Sequence, residues 1–321
     1  MGLLVDGIWR SDATDKRYQD GRFRRAETQF RDRVTADGSS GLKAEPGHYH
    51  LYVAHACPWA HRTVIFRALK RLEDVISISF VEPLMLDQGW ELAEGADPVN
   101  RARAMHQVYA KAGPGYTGRC SVPVLWDKER ETIVSNESSE IIRMLNSAFD
   151  AFGDAGLDFY PEALRPEIDE VNAEVYSNLN NGVYKCGFAT SQAAYDEVFD
   201  ALFGTLDRLE ERLGRQRYLA GDRITEADWR LFATLVRFDA VYHGHFKCNL
   251  RRIVDYPNLS GYTRDLYQVP GVAETVDMPK IKEHYYGSHR HVNPSGIVPK
   301  GPALDFTAPH DRERLTARAA E

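Results

Sequence analysis

The stretch that decides the fold runs from residue 51 to residue 60 and reads Leu51-Tyr52-Val53-Ala54-His55-Ala56-Cys57-Pro58-Trp59-Ala60. Its apolar start predicts a strand, and Pro58 suits the first position of a helix because its missing N–H would be unpaired there anyway. Cys57 is therefore expected at a strand-to-helix turn, against the positive end of the helix dipole. That position favours the thiolate and can lower a cysteine pKa from ~8.5 to roughly 3.5–7.5. We interpret Cys57 as a sulfur nucleophile; the alternative is a small buried hydrophobic residue.

The composition is that of an ordinary globular chain, with 27% charged and 43% hydrophobic residues. A length of 321 residues allows two domains with full cores. The net charge of -7 argues against a nucleic-acid partner, since a phosphate-binding surface needs a basic excess. No apolar stretch approaches the ~20 residues of a membrane span, and the first residues lack the features of a secretory signal. The four cysteines are far apart in sequence, so we expect a reduced, cytoplasmic setting and neither a disulfide framework nor a zinc pattern.

Strand and helix patterns alternate in the first half of the chain, with an insert of about residues 84–119 between them. Beyond about residue 165 helical periodicity dominates, and Thr225 with Asp228 predicts a capping box at one helix start. The predicted strands are His50–Ala54, Val75–Phe80, Val122–Trp126 and Thr132–Val134. The predicted domain ranges are 1–46 for an N-terminal extension, 47–155 for an α/β domain, 156–292 for an all-helical domain and 293–321 for a tail.

Val122-Pro123 is the second informative feature. A proline inside a strand cannot donate to the ladder, and it fits there if the bond is cis, because only X–Pro bonds adopt the cis form at low cost. A cis turn would leave the N–H and C=O of Val122 unpaired and available to a peptide-like ligand. The alternative is an edge-strand proline with no ligand.

Glu137-Ser138 opens the next predicted helix and is the third feature. The free N–H groups of a helix start and its dipole favour a carboxylate, and Ser138 can add a hydroxyl donor. Glu137 can then bind an ammonium group beside it. Carboxylate plus ammonium describes an amino-acid α-group, such as the γ-glutamyl end of glutathione. The alternative is that both residues are ordinary helix caps.

The combination of these features resembles the cytosolic glutathione transferases, and more narrowly the glutathionyl-hydroquinone reductases, also called xi-class glutathione transferases. The resemblance covers roughly residues 20–295. It implies a thioredoxin-like N-terminal α/β domain with a mixed four-stranded sheet and glutathione-binding role, an all-α C-terminal domain, and a homodimer. The segments that carry it are Cys57-Pro58-Trp59-Ala60-His61-Arg62, Gly89-Trp90, Gly118-Arg119-Cys120-Ser121-Val122-Pro123-Val124-Leu125-Trp126-Asp127, Ser135-Asn136-Glu137-Ser138-Ser139-Glu140, Tyr184-Lys185-Cys186-Gly187-Phe188-Ala189, Phe246-Lys247-Cys248-Asn249 and Ile281-Lys282-Glu283-His284-Tyr285-Tyr286.

The resemblance also implies a role for particular residues, with Cys57 as the catalytic thiol. An arginine offers a carboxylate planar donors that a lysine lacks, a tryptophan offers a flat wall, and a tyrosine O–H can donate to the quinol oxygen. The alternatives are a surface charge, loop packing and amphipathic residues at the rim of the core. The residues implied to hold glutathione are Trp90, Arg119, Val122, Glu137 and Ser138. The residues implied to line the pocket for the aromatic co-substrate are Tyr184, Tyr242 and Tyr285.

The activity implied is the glutathione-dependent reduction of glutathionyl-hydroquinones through a mixed disulfide between Cys57 and glutathione. Residue 60 is Ala, so no neighbouring thiol can close an internal disulfide. The alternatives are a glutaredoxin-like thioltransferase or dehydroascorbate-type reductase, a conjugating glutathione transferase, and a non-catalytic binding module of the same fold. Glutathione is expected as the co-substrate, and a glutathionyl-hydroquinone as the substrate. We expect no metal, because one thiol with the poorly spaced His55 and His61 is a weak zinc pattern. Late histidines are interpreted as surface or pocket-rim residues: His243, His245, His284, His289 and His291.

Overall fold

A computed structural model of the chain describes residues 2–13 and 18–318. Its strands are β1 (Leu3–Val5), β2 (Ile8–Arg10), β3 (Tyr18–Gln19), β4 (Arg22–Phe23), β5 (Tyr49–Val53), β6 (Ser77–Phe80), β7 (Met85–Leu86), β8 (Gly89–Trp90), β9 (Val124–Asp127) and β10 (Thr132–Ser135). Its α-helices are α1 (Pro58–Leu69), α2 (Met105–Ala112), α3 (Ser138–Ser147), α4 (Arg165–Glu174), α5 (Gly182–Gly187), α6 (Gln192–Arg215), α7 (Glu226–Arg237), α8 (His243–His245), α9 (Pro257–Tyr267), α10 (Met278–Ser288) and α11 (Glu313–Arg318). Two π-helical segments, Val175–Asn180 and Phe238–Tyr242, precede α5 and α8.

The contacts divide the chain into two compact units. Unit 1 consists of Met1–Lys16, Ala26–Leu157 and Thr275–Ser288, and unit 2 of Arg17–Arg25, Asp158–Glu274 and His289–Glu321. The domain ranges drawn from the sequence stay a prediction. The units differ from those ranges in one respect that concerns the site: Thr275–Ser288, which follows most of the helical residues in the chain, belongs by its contacts to unit 1.

Unit 1 is built on one mixed sheet of four strands in the order β10-β9-β5-β6. Strand β5 pairs parallel with β6 and antiparallel with β9, which pairs antiparallel with β10. Parallel neighbours need a crossover connection, and α1 lies in the one between β5 and β6. The predicted mixed four-stranded sheet of an α/β domain is confirmed.

Unit 1 also contains secondary structure in the insert and in the N-terminal extension, which the sequence does not predict. The insert of about 84–119, for which no helix was predicted, contains α2 and the β7–β8 hairpin. In the N-terminal extension, β1 and β2 form a hairpin, and Leu4 exchanges two backbone hydrogen bonds of 2.9 Å with Gly118. The extension is therefore hydrogen-bonded to the segment that leads to Arg119. Residues 14–17 of it lie outside the described range.

Among the described residues of unit 2, the one β-hairpin is β3–β4 and the other regular elements are helices, as the periodicity predicts. The predicted capping box of α7 is confirmed, since the buried carboxylate of Asp228 accepts the Thr225 N–H at 2.7 Å. The tail that follows residue 293 is anchored by Arg312. Its buried guanidinium donates to the carbonyls of Leu213, Gln216 and Arg217 at the end of α6, at 2.6–2.8 Å. These carbonyls lack partners within the helix, and a cation stabilises that end of the dipole.

Across the described ranges, every helix is too short or too polar to pass through a lipid bilayer.

Candidate active site

Cys57 lies where the sequence predicts, between the end of β5 and the start of α1. It is the N-cap of α1, with Pro58 in the first turn, and its Sγ accepts the backbone N–H of Ala60 at 3.5 Å. The thiol also donates to the carbonyl oxygen of Val122, 3.3 Å away. Cys57 is half-buried. The sulfur therefore lies at the N-terminus of a helix whose N–H groups and dipole stabilise an anion.

The Val122–Pro123 bond is cis, which is the first of the two alternatives for this dipeptide. The expectation that the Val122 carbonyl is unpaired is wrong, because it accepts the Cys57 thiol hydrogen bond. The same contact brings two of the predicted site residues together. Pro123 immediately precedes β9, so the pair marks the entry to a central strand of the sheet.

At the start of α3, Glu137 and Ser138 differ in their hydrogen bonds. Glu137 is the N-cap of α3. Its Oε1 accepts the Ser139 N–H and hydroxyl at 3.1 and 2.8 Å, and its Oε2 accepts the Thr28 hydroxyl at 3.3 Å. Its role as an ammonium ligand stays a prediction. Ser138 is not a cap. Its side chain is 1% exposed, and its Oγ has no hydrogen-bond partner among the described residues. An unpaired hydroxyl at a helix N-terminus suits a carboxylate ligand, for which the helix N–H groups are also donors.

Trp90 ends the β7–β8 hairpin, and its ring is 8% exposed. The ring of His284 stacks on it, with centroids 4.6 Å apart and planes 20° from parallel. The sequence predicts a surface or pocket-rim position for His284, His245 and His289. The surface position is wrong, because all three are buried, and the pocket-rim position stays a prediction. The signal that could have drawn attention to His284 was its place beside Tyr285 in a family motif.

Arg119 lies in unit 1, four residues before Pro123, and is half-buried. Its backbone carbonyl accepts the hydroxyl of Tyr116 at 2.9 Å. Burial raises the pKa of Tyr116 to about 12, so this hydroxyl stays a donor at neutral pH. The backbone of Arg119 is thus held in place.

The three tyrosines implied by the resemblance fall in different units. Tyr184 and Tyr242 lie in unit 2 with their ring centroids 6.0 Å apart, and both also contact the ring of Phe246. Tyr184 is half-buried and Tyr242 is buried. Tyr242 ends one π-helical segment, and Tyr184 follows the other by four residues. Such segments are rare and are frequent at functional sites. Tyr285 is buried on α10 in unit 1.

The remaining cysteines are poor candidates for a nucleophile. Burial raises the pKa of the Cys120 thiol to about 12, so it stays protonated at neutral pH and reacts slowly. Cys186 and Cys248 are buried, as expected, and all four cysteines are free. Cys57 is therefore the thiol whose position favours reaction.

Possible metal ligands come together at one place in the described chain: Glu45, His48 and Glu129. Both carboxylates are exposed, and the His48 ring lies 2.8 Å from the buried carboxylate of Asp127. None of these residues belongs to the candidate site. His61, which flanks Cys57 in sequence, is buried with its Nε2 2.8 Å from the Thr275 hydroxyl.

Family models match both halves of the chain. The model of the glutathione S-transferase N-terminal domain matches residues 56–148, which include Cys57, Trp90, Val122 and Ser138. The model of the glutathione S-transferase C-terminal domain matches residues 192–265.

Relatives match nearly the whole chain. It is 56% identical over 307 residues to the glutathionyl-hydroquinone reductase PcpF of Sphingobium chlorophenolicum, covering 94% of this chain and 97% of that protein. It is 52% identical over 324 residues to the glutathionyl-hydroquinone reductase YqjG of Escherichia coli strain K12, covering 98% and 99%.

Among solved structures, a xi-class glutathione transferase from Natrialba magadii superposes with a TM-score of 0.92 at 49% identity, covering 98% of this chain and 97% of that one. The glutathione-bound structure of YqjG superposes with a TM-score of 0.89 at 50% identity, covering 97% and 99%.

Proposed function

The chain belongs to the xi class of the glutathione transferase family, and from this membership we propose that it is an enzyme that reduces glutathionyl-hydroquinones to hydroquinones with glutathione. The observation that carries the proposal is the position of Cys57, a thiol at the N-cap of α1 with a helix N–H directed at its sulfur. A conjugating transferase would use a Ser or Tyr hydroxyl to hold glutathione as its thiolate. A cysteine instead forms a mixed disulfide.

In the first step, the Cys57 thiolate attacks the glutathione sulfur of the substrate. An S–S bond forms between Cys57 and glutathione, and the bond between that sulfur and the ring carbon breaks. The ring keeps the electron pair and takes up one proton, so the hydroquinone leaves reduced by two electrons. Negative charge develops on the quinol as the C–S bond breaks, and a tyrosine O–H near it would stabilise that charge.

In the second step, a second glutathione attacks the mixed disulfide as its thiolate. Oxidised glutathione leaves, and the Cys57 thiolate is regenerated. Cys120 does not enter this cycle, because burial keeps its thiol protonated. The cycle therefore uses one enzyme thiol and two glutathione sulfurs.

We assign the glutathione moiety to Trp90, Arg119, Val122, Glu137 and Ser138. The unpaired, buried hydroxyl of Ser138 supports the carboxylate part of this assignment most directly. Glu137 keeps lone pairs for an ammonium group beyond the bonds it accepts, since a carboxylate has about four acceptor sites. The family resemblance assigns Tyr184, Tyr242 and Tyr285 to the hydroquinone.

Three further parts of the proposal concern the setting. We propose a homodimer, as is usual in this family, and no resident metal, since the chemistry uses only sulfur and protons. We also propose the cytoplasm as the compartment. The free state of all four cysteines supports this, because cytosolic thiols are kept reduced.

The test compares substrates and variants under one glutathione supply. We expect turnover of a glutathionyl-hydroquinone to exceed conjugation of 1-chloro-2,4-dinitrobenzene, and Cys57→Ser to lose reduction by at least about 10³-fold, since the hydroxyl cannot form the mixed disulfide. Cys120→Ser should keep reduction within about threefold, because a thiol held protonated does not take part in thiol–disulfide exchange at neutral pH.

Mass spectrometry after treatment with oxidised glutathione should find the adduct on Cys57. Faster conjugation than reduction would favour the conjugating transferase, and undiminished reduction by Cys57→Ser would refute the mechanism. A chain that binds glutathione but catalyses neither reaction would be the binding module.

A further inference from the structure

The segment Thr275–Ser288 is joined to unit 1 at both of its ends. At one end, the Thr275 hydroxyl lies 2.8 Å from Nε2 of the buried His61, which is on the helix that Cys57 caps. At the other end, the Ser288 hydroxyl accepts the backbone N–H of Met85 at 2.9 Å. A Cβ atom added at Gly287 would lie 2.6 Å from a methyl group of Leu84, so α10 approaches this loop as closely as a glycine permits.

His284 lies between these two anchors and makes two interactions with the same loop. Its Nδ1 is 2.8 Å from the carbonyl oxygen of Pro83. A carbonyl can only accept, so the ring carries a proton on Nδ1 and donates it. The same ring stacks on Trp90 at 4.6 Å, and His284 is 6% exposed. One imidazole therefore fixes both the start of the 83–90 loop and the indole at its end.

Trp90 depends on such outside support. The β7–β8 hairpin has two residues in each strand, and an isolated two-stranded hairpin is marginally stable at best. Within the described part of the chain, the indole makes no hydrogen bond, and its ring contact is the stack with His284. The stack with His284 and the packing that buries Trp90 therefore hold the ring, with no donor–acceptor pair among the described residues.

We propose that His284 is a positioning residue that holds the Trp90 ring in the orientation that binds glutathione. The inference rests on the proposed function, in which Trp90 is one wall of the glutathione site. The stack is formed before glutathione arrives, so the enzyme does not have to order the indole during binding. Loss of the stack should weaken glutathione binding and leave the chemistry at the sulfur unchanged, because His284 acts through Trp90.

The competing explanation is that α10 only stabilises the loop. Ser288 separates the two, because its hydroxyl accepts the Met85 N–H of the same loop from the same helix and makes no hydrogen bond with Trp90 among the described residues. Its hydroxyl also lies 3.4 Å from Nδ1 of His284, but the shorter bond of 2.8 Å from that nitrogen to the Pro83 carbonyl remains when Ser288 is replaced. We would measure the Kd for glutathione by calorimetry, the unfolding midpoint, and kcat and KM for glutathione, in the wild type and in His284→Ala, His284→Phe and Ser288→Ala.

We expect His284→Ala to raise the Kd and KM about fivefold, in line with the strength of a stacked ring pair, with kcat within about twofold of the wild type. His284→Phe, which keeps a ring but loses the donor, should restore the Kd to within about twofold. Ser288→Ala should lower the unfolding midpoint but keep the Kd within about twofold, because it leaves the stack in place.

Three results would overturn the proposal: an unchanged Kd in His284→Ala, an equal loss in Ser288→Ala, or a phenylalanine variant as weak as the alanine one. If His284→Ala does not fold, His284→Leu against His284→Phe gives the same comparison of an apolar side chain with a ring. Because binding is measured without turnover, a wild type that binds glutathione but does not reduce glutathionyl-hydroquinones would refute the proposed function and leave this test intact.

Discussion

Replacing Ser138 by alanine should change affinity and stability in opposite directions. Its hydroxyl is buried at the start of α3 and makes no hydrogen bond with any described residue. If it donates to a glutathione carboxylate, Ser138→Ala removes a hydrogen bond to a charged group, which contributes about 1.5–3 kcal/mol. That corresponds to a roughly 10- to 150-fold change in Kd. We expect about tenfold, because the helix N–H groups remain as donors for the same carboxylate.

Stability should move the other way. A buried polar group without a partner costs about 1–3 kcal/mol, and alanine removes that cost while leaving only a small void. We therefore expect Ser138→Ala to be more stable than the wild type by about 1 kcal/mol in the absence of glutathione. For a chain of this size the unfolding midpoint should rise by about 2 °C.

Ser139 provides the matched control one residue away. Its hydroxyl donates to Glu137 at 2.8 Å, so Ser139→Ala should lower stability by about 1 kcal/mol, with the Kd for glutathione within about threefold of the wild type. The measurements are calorimetric titration with glutathione and thermal unfolding of the ligand-free protein. A Ser138→Ala protein that loses stability and keeps its affinity for glutathione would refute the reasoning, because the hydroxyl would then have a protein partner.

Further predictions concern stability. Burial lowers the pKa of His50 from 6.5 to about 4, so the folded state holds the neutral ring. The stabilisation that the neutral ring gives the folded state is complete above about pH 6.5 and falls by roughly 2.5 kcal/mol by pH 4.5. The free energy of unfolding, measured in urea across this pH range, should therefore vary less with pH in His50→Gln than in the wild type. Parallel pH dependences in the two proteins would contradict the assignment. Asp228→Asn should lose about 3 kcal/mol in urea unfolding, since its amide would face donors from Thr225, Leu219 and Tyr262; a loss below about 1 kcal/mol would contradict it. Arg312→Met should lose about 2–4 kcal/mol by removing the donors at the end of α6, and an unchanged unfolding midpoint would show that water replaces them.

Local chemistry explains which parts of the site were predictable. The strand, Cys57 and Pro58 form a sequence-local unit, so the turn and the N-cap follow from neighbouring residues alone. The capping box at Thr225 is predictable for the same reason. At Glu137 and Ser138 the sequence allowed both a cap and a ligand site. Only the hydrogen bonds of the fold show that Glu137 caps the helix and that the hydroxyl of Ser138 has no partner among the described residues, and the ligand role of both residues stays a prediction.

The parts that escaped prediction depend on residues distant in sequence. The Val122 carbonyl is paired because Cys57, 65 residues away, reaches it. His284 is buried because it packs on a loop about 200 residues earlier in the chain. Neither contact has a periodic or compositional signature, so a local pattern cannot reveal it. The helix α2 was missed because the glycine and proline residues around it favour a loop assignment.

The return of Thr275–Ser288 to unit 1 has a practical consequence for anyone who wishes to dissect this protein. The family model of the second domain ends at residue 265, and a chain cut there would retain every matched segment while losing α10. Unit 1 is therefore not one continuous piece of polypeptide. To produce it alone, residue 157 would have to be joined to residue 275 through an artificial linker, or α10 supplied as a separate peptide. Sequence boundaries taken from the matched models would miss this requirement.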